Sequence, residues 1–149
     1  MNTIENICIF CDIVSGKEES SNIYEDDQII ALMNIRPVNA GEFLIIPKIH
    51  IDHFIELPSE LASHILLTAQ KLSNNLMKCM RPLRIGYLVH GFGVSHAHLN
   101  VIPLNSPNDI VSMKQLKVVK EEIVDDITLL PQPTRTELDK IASALRNYQ

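Results

Sequence analysis

Long apolar runs and a surplus of basic residues are both absent from this sequence. No run approaches the roughly 20 apolar residues that a helix needs to cross a bilayer, so we expect no membrane partner. The chain has 13 Lys and Arg against 18 Asp and Glu, a net charge of −5. Because general nucleic-acid binders carry a basic excess, we expect no nucleic-acid partner either.

Cysteine is scarce, and this scarcity excludes a disulfide-rich scaffold. The chain has three cysteines, and Cys8 and Cys11 form a C-x-x-C pair. That spacing in a reducing compartment is typical of a metal site or a redox pair. A basic-then-apolar signal segment is absent as well, because Glu5 and the two cysteines lie where it would run. We therefore expect a cytoplasmic protein.

The length and composition indicate one globular domain over residues 1–149. Hydrophobic residues make up 46% of the chain and charged residues 21%, which is ordinary for a globular protein. Internal repeats and low-complexity segments are absent. The predicted elements are a hairpin over residues 22–33, a strand over 43–46, a helix over 58–80, strands over 85–89 and 94–103, and a C-terminal helix.

A periodic pattern supports the first helix, and a capping pattern supports the second. Apolar residues recur at threes and fours in the first helix, at Leu61, Ile65, Leu72, Leu76 and Met80. In the second helix, Thr134 and Glu137 have the spacing of a capping box ahead of Leu138. Together the elements predict an α+β fold, a meander of about five strands with two main helices.

The segment 94–103 alternates polar and apolar residues, the pattern of a strand with one buried face. His96, His98 and Asn100 then share one face, with neighbours roughly 6.5–7 Å apart. Ala97, Leu99 and Val101 face the core on the other side. Two imidazoles and a carboxamide lined up on a rigid element are typical of a functional site. The alternative is a solvated strand face.

The cysteine pair invites a search for further metal ligands. Two thiolates completed by two imidazoles would form the tetrahedral site that zinc prefers. The six candidate histidines are His50, His53, His64, His90, His96 and His98. We expect His64 to be a surface or hydrogen-bonded helix residue, and no pattern supports His53 or His90. A thioredoxin-like redox pair has the same cysteine spacing, but its βαβ context is missing. The third cysteine, Cys79, is expected to pack at the end of its helix.

Three motifs resemble those of the histidine-triad (HIT) family of nucleotide hydrolases and transferases. They are C-I-F-C-D-I-V-S-G, M-N-I-R-P-V-N-A-G-E-F-L-I-I-P-K-I-H and H-A-H-L-N-V-I-P. The resemblance covers roughly residues 7–104, so residues 105–149 form a C-terminal extension with the final helix. It implies a five-stranded antiparallel sheet with flanking helices, a homodimer and a purine nucleotide or dinucleotide substrate bound over the triad.

The resemblance also implies a role for each site residue. His98 is the nucleophile that attacks the α-phosphate, with His96 and Asn100 as the other members of the triad. A structural zinc ion is implied at Cys8, Cys11, His50 and His96.

The resemblance, together with the groups that a bound nucleotide needs, indicates the nucleotide-binding residues. Asn34 occupies the position that bonds the ribose hydroxyls, and Leu32 is expected to line the base pocket. Ile45 is a weaker candidate for that pocket, since a core role fits it better. Backbone N–H groups around Phe92 and Gly93, together with Ser95, are expected to hold the phosphate.

The chain departs from the family pattern, and several functions therefore stay open. Asn100 replaces the third histidine, and Phe92 and Gly93 replace a glutamine and a serine or threonine. The asparagine usual before them is not evident, with His90 nearby. The first hypothesis is a hydrolase that releases a nucleoside monophosphate from a dinucleoside polyphosphate or phosphoramidate. The alternatives are a nucleotidyltransferase, with phosphate or a sugar phosphate as acceptor, and a nucleotide-binding protein with little catalysis.

Overall fold

A five-stranded antiparallel sheet forms the centre of the computed structural model, which describes residues 8–109 and 115–147. Its strands are β1 (Asn22–Glu25), β2 (Ile29–Met33), β3 (Phe43–Pro47), β4 (Arg84–Leu88) and β5 (Leu99–Leu104). The predicted α+β class and antiparallel sheet are confirmed. The expectation drawn from Glu5, that no signal segment is present, lies outside the described residues.

The strand order of the sheet is β1-β2-β3-β5-β4. The prediction of a simple meander is therefore wrong, because β5 enters between β3 and β4. In this position β5 pairs with β3 from Phe43 opposite Val101 and with β4 from Arg84 opposite Leu104. The central location of β5 buries the end of the triad segment inside the sheet.

Three α-helices of the described residues cover the sheet. They are α1 (Ile9–Val14), α2 (Ser59–Met80) and α3 (Arg135–Asn147). The main core lies between one face of the sheet and the two long helices, and it includes Phe43, Ile65 and Leu138. A smaller core on the opposite face joins Phe10 of α1 to β2 and β3. Both faces are covered, which explains why β2 and β3 are entirely buried and read as continuous apolar runs.

The helix predicted over residues 58–80 is α2, and the C-terminal helix has the predicted cap. Four of the five predicted apolar positions of α2 are buried: Leu61, Ile65, Leu72 and Leu76. Met80 is 38% exposed, because it is the last residue of the helix. At the start of α3, the Glu137 carboxylate accepts a hydrogen bond from the Thr134 backbone N–H at 2.7 Å. The Glu137 backbone N–H donates to the Thr134 hydroxyl at 3.3 Å. This is the reciprocal capping box that the sequence predicts.

The predicted strand over residues 94–103 begins later than expected. Strand β5 starts at Leu99. Its neighbour β4 ends at Leu88, opposite Asn100, so residues 94–98 have no β4 residue to pair with. Residues 92–96 instead form bends, and the Ala97 backbone N–H donates to the Ile51 carbonyl at 2.7 Å.

Two further elements are not predicted from the sequence. The first is α1, which contains the cysteine pair, and the second is a separate hairpin of β6 (Leu116–Val119) and β7 (Glu122–Asp125). All eight residues of β6 and β7 are exposed. These strands therefore lack the alternation of buried and exposed residues by which a half-buried strand is predicted. Among the described helices, none has the length and apolar character needed to span a membrane.

Candidate active site and metal centre

The two histidines of the segment 94–103 are buried, although they lie before the first residue of β5. His96 is fully buried and His98 is 7% exposed. The side chains alternate between the two faces as predicted, since Ala97, Leu99 and Val101 belong to the main core on the other side of the sheet, although both faces are buried. Both imidazoles contact the Phe10 ring edge to face, with centroid distances of 5.7 Å for His96 and 5.3 Å for His98. The two histidines therefore share one face, as predicted, and that face is not solvated.

Hydrogen bonding determines which nitrogen of His96 carries the proton. Its Nε2 lies 2.9 Å from the Pro47 carbonyl oxygen, which can only accept, so the proton is on Nε2. The lone pair of Nδ1 is then available to a metal ion. Burial lowers the pKa of His96, and the Pro47 carbonyl opposes this change while His50 and His98 lower the pKa further. A neutral imidazole is the form that binds a metal ion.

Four potential metal ligands converge at this point. The Nδ1 atom of His96 lies 3.4 Å from Cys8 Sγ, 3.6 Å from Cys11 Sγ and 3.2 Å from His50 Nδ1. The Cys11 Sγ lies 3.2 Å from His50 Nδ1. All four ligand atoms lie within 4.8 Å of one another.

These separations suit tetrahedral zinc. Zinc–sulfur bonds of about 2.3 Å and zinc–nitrogen bonds of about 2.05 Å give edges of roughly 3.5 Å between sulfur and nitrogen and roughly 3.3 Å between two nitrogens. The sulfur–nitrogen distances of 3.2–3.6 Å and the nitrogen–nitrogen distance of 3.2 Å lie close to these edges. The donor set is therefore compatible with zinc, and it favours a metal site over a redox pair.

The first turn of α1 places the two thiols. Cys8 is the N-cap of α1, and its Sγ accepts a hydrogen bond from the Cys11 backbone N–H at 3.4 Å. Burial, the neighbouring Cys8 and the charge of Asp12 raise the pKa of the Cys11 thiol to about 11. A bound cation would counteract this rise in the pKa of Cys11, because it would stabilise the thiolate form.

His98 is oriented by the backbone of its neighbour. Its Nδ1 donates to the His96 carbonyl oxygen at 2.7 Å, which places the proton on Nδ1 and the lone pair on Nε2. Burial lowers the pKa of His98, the bond to the His96 carbonyl opposes that change, and the nearby His90 lowers the pKa further. The result is a neutral imidazole with a fixed tautomer and an available nitrogen.

Asn100, the third member of the triad, is anchored to the neighbouring strand. Its side-chain Nδ2 donates to the Leu88 carbonyl oxygen at 3.3 Å, and the residue is 7% exposed. An amide at this position can donate and accept hydrogen bonds, but it does not titrate near neutral pH. The triad therefore contains two imidazoles and one neutral amide.

The structure separates the two candidates for the base pocket. Leu32 belongs to the smaller core together with Phe10, on the side of the sheet where the two histidines lie. Ile45 belongs to the main core beneath α2. Leu32 therefore keeps its position as a candidate pocket residue, and Ile45 has the core role that fits it better.

Asn34 is held by a buried carboxylate that the sequence analysis missed. Its Nδ2 donates to Glu42 Oε1 at 2.7 Å, and its Oδ1 accepts from the Arg36 backbone N–H at 2.9 Å. Glu42 is 3% exposed, and its Oε2 accepts from the Val38 backbone N–H at 2.6 Å. Burial raises the pKa of Glu42, and these two donors oppose the change. The sequence signal that could have identified Glu42 is its position as a charged residue directly before the apolar run 43–46.

The loop between β4 and β5 contains the predicted phosphate-binding residues. Phe92 is 95% exposed, Ser95 is exposed, and a Cβ on Gly93 would meet nothing within 4 Å. The Phe92 backbone N–H donates to His90 Nδ1 at 3.3 Å, and the two rings stack with centroids 6.2 Å apart.

The remaining candidates have structural roles. His64 Nε2 lies 2.7 Å from Asp26 Oδ2, which confirms that His64 is a hydrogen-bonded helix residue. Burial alone raises the pKa of Asp26, but bonds from the backbone, His64 and Tyr24 outweigh it and hold that pKa well below its usual range. His53 is exposed. The Cys79 thiol is half-buried and donates to the Ala144 carbonyl at 3.7 Å.

Comparison with known proteins places this geometry in context. The family model for the HIT domain matches residues 15–107. The protein hit of Bacillus subtilis is 32% identical over 114 residues, which cover 73% of this chain and 78% of the relative. Adenylylsulfatase HINT3 of Arabidopsis thaliana is 29% identical over 107 residues, which cover 68% of this chain and 54% of the relative.

A solved structure supports the fold. A zinc-bound histidine triad family protein from Mycobacterium smegmatis superposes with a TM-score of 0.68 and 24% identity. The match covers 94% of this chain and 91% of that protein.

Proposed function

Because this chain belongs to the HIT family, we propose that it is a nucleotide hydrolase in which His98 attacks the α-phosphate of its substrate. The observation that carries the proposal is the tautomer of His98. Its Nδ1–H is held by the His96 carbonyl at 2.7 Å, so the Nε2 lone pair is the available nucleophile. Burial keeps this imidazole neutral, and only the neutral form can attack phosphorus.

The reaction takes place in two displacements. In the first, Nε2 of His98 forms a bond to the α-phosphorus, and the bond from phosphorus to the bridging oxygen or nitrogen breaks. The leaving group departs with that electron pair. In the second, water attacks the phosphorus and loses a proton, the nitrogen–phosphorus bond breaks, and a nucleoside monophosphate is released. Two moderate steps replace one difficult step.

The pocket residues have matching roles in this proposal. Leu32 contacts the purine base, and Asn34, positioned by Glu42, bonds the ribose hydroxyls. The backbone N–H groups of Phe92 and Gly93, with Ser95, bind the phosphate oxygens. The candidate substrates are dinucleoside polyphosphates and nucleoside phosphoramidates. Adenylyl sulfate joins them because the Arabidopsis thaliana relative is named an adenylylsulfatase.

A nucleotidyltransferase is the second candidate, because the third triad position carries an amide. Product analysis by mass spectrometry separates the two reactions. With water as acceptor the product is free nucleoside monophosphate, whereas phosphate or a sugar phosphate as acceptor gives a new nucleotide. Binding without turnover indicates a nucleotide-binding protein.

Replacement of His98 tests the nucleophile. We expect His98→Ala to lower turnover by at least about 10³-fold and to leave nucleotide affinity within a few-fold, because only the bond-forming atom is lost. Wild-type protein quenched during turnover should contain one nucleotidyl group on a peptide that includes His98. The exposed His53→Ala is the matched control and should keep full activity. Activity of His98→Ala within tenfold of the wild type would contradict the assignment.

Asn100 is expected to determine leaving-group preference. An amide cannot deliver a proton, so a polyphosphate, which leaves as an anion, is favoured over an amine, which needs protonation. We expect Asn100→His to raise phosphoramidate turnover about 10²–10⁴-fold and polyphosphate turnover far less. Steady-state rates on both substrates measure the difference. Equal gains on both substrates would show that Asn100 has no part in this preference.

A structural zinc ion at Cys8, Cys11, His50 and His96 is part of the proposal. The ion would hold these ligands together and add its binding free energy to folding. We expect protein purified without chelator to contain about one zinc per chain. Cys8→Ser should lose the ion and lower the Tm by roughly 10 °C.

Cys79→Ser is the matched control for the zinc experiment, because Cys79 lies outside the cluster. This variant should keep its zinc and nearly the wild-type Tm. A zinc content near zero in the wild type, with Cys8 and Cys11 freely titratable, would reject the assignment.

The homodimer implied by family membership is also proposed. Strand β4 is an edge strand of the sheet. Exposed apolar residues lie on it, next to it on the chain and along α2: Leu66, Leu67, Met77, Leu83, Tyr87 and Val89. Edge strands and apolar patches of this kind are typical of subunit interfaces. Sedimentation at micromolar concentration should show a dimer. A stable monomer under these conditions would contradict this proposal.

A further inference from the structure

Asn34 follows β2, Glu42 precedes β3, and the two residues lie opposite each other. The strands pair up to Met33 opposite Phe43. The Asn34 backbone N–H then donates to the Glu42 carbonyl at 3.0 Å, which continues the pairing by one residue. Met33 and Phe43 belong to the main core, so by alternation Asn34 and Glu42 point to the other face of the sheet. The side-chain hydrogen bond between them, at 2.7 Å, agrees with this placement.

The same face carries the triad. Leu32 pairs with Leu44, and Leu44 pairs with Asn100, so one row of residues crosses β2, β3 and β5. Leu32 and Leu44 belong to the smaller core, on the side of the sheet opposite α2. The pair of Asn34 and Glu42 forms the neighbouring row, because it lies two residues after Leu32 and two before Leu44.

The partners of Asn34 determine which way its carboxamide faces. Nδ2 donates to Glu42 Oε1 at 2.7 Å, and Oδ1 accepts from the Arg36 backbone N–H at 2.9 Å. A carboxamide has two N–H groups and two acceptor positions on its oxygen, so one of each is left over. Asn34 is half-buried, which leaves both accessible to a ligand. One donor beside one acceptor matches two neighbouring hydroxyl groups, since each hydroxyl can donate and accept.

An ionised carboxyl group is the side chain that suits position 42. Its Oε1 accepts from Asn34 and its Oε2 from the Val38 backbone N–H, whereas a Gln side chain would direct its own NH₂ at one of these two donors. Glu42 is 3% exposed, and in the described part of the chain no cation forms an ion pair with it. A buried charge of this kind is costly, and its two hydrogen bonds offset the cost while they fix Asn34.

We propose that Glu42 is a positioning residue that makes the site selective for ribonucleotides over 2′-deoxyribonucleotides. It acts through Asn34, whose fixed carboxamide donates its remaining N–H to one ribose hydroxyl and accepts from the other with Oδ1. A 2′-deoxyribose lacks one of these hydroxyls and leaves a half-buried polar group without its partner. The proposal rests on the ribose contact of Asn34 in the function proposed above, and it adds the class of nucleotide that this contact selects.

Calorimetric binding of adenosine monophosphate and of 2′-deoxyadenosine monophosphate tests the proposal without turnover. We expect the wild type to bind the ribonucleotide about tenfold more tightly, because the deoxynucleotide loses one hydrogen bond and leaves one group unpaired. In Glu42→Gln the ratio of the two affinities should fall to about twofold or less, while the affinity for the deoxynucleotide stays within a few-fold. Asn34→Ala should have the same effect, and the double variant should lower the ratio no further.

A second variant and a control accompany these measurements. Glu42→Asp keeps the charge but shortens the side chain by one methylene group, so it should also lose the selectivity. Glu56 is exposed, and Glu56→Gln is the matched control that should keep the wild-type ratio. Thermal melts identify the folded variants, and the ratio is compared among these.

Three results would overturn the proposal, and each has a different meaning. Equal losses of affinity for both nucleotides in the folded Glu42 variants would assign Glu42 to the structure of the loop 34–42 alone. A wild-type ratio near one would reject the ribose contact, but turnover that is lost in His98→Ala would leave the proposed nucleophile standing. A wild-type protein that neither binds nor turns over nucleotides would reject the proposed function as well.

Discussion

His96 is the residue on which the rest of the site depends. Its Nε2 donates to the Pro47 carbonyl at the end of β3, and its Nδ1 faces the two thiols and His50. Its backbone carbonyl accepts the proton of His98 Nδ1. One residue therefore joins the sheet, the candidate metal centre and the proposed nucleophile. A rotation of the His96 ring or peptide would disturb all three, because its polar groups are buried and each has a partner.

Burial favours the neutral form of both imidazoles, and their hydrogen bonds to backbone carbonyls, which oppose the fall in pKa, fix the tautomers. Phe10 contacts both rings and helps to exclude water from them, so the charged forms are disfavoured. Carbonyl oxygens then select one tautomer for each ring. The same two effects suit two different purposes, since His96 presents Nδ1 towards the thiols and His98 keeps its lone pair on Nε2. The two histidines of one segment thus present different ring nitrogens, because the proton is on Nε2 in His96 and on Nδ1 in His98.

The sequence predicts the local features well because they depend on neighbouring residues. The alternation in residues 94–103 places His96 and His98 on one face, and the spacing of Cys8 and Cys11 indicates a metal or redox pair. The histidine ligands were implied by the family resemblance rather than by the residue types, and the structure brings His50 and His96 to the two thiols. The strand order could not be read in this way, since the pairing of β3 with β5 joins segments far apart in sequence. Glu42 was missed for a related reason: its burial depends on Asn34 and on the backbone of Val38, which only the folded loop brings to it.

The insertion of β5 between β3 and β4 also has a consequence for the order of folding. The β1–β2–β3 hairpins and α2 are made of local contacts, which form early because little chain entropy is lost in closing them. The β3–β5 pairing must close a loop that contains all of α2 and β4, so it belongs to the slow, non-local part of folding. Cys8 and His96 are separated by 88 residues and meet only when that loop closes. During synthesis, the nascent chain therefore has neither its candidate metal ligands nor its proposed nucleophile assembled until β5 has emerged, and both arrive in one event.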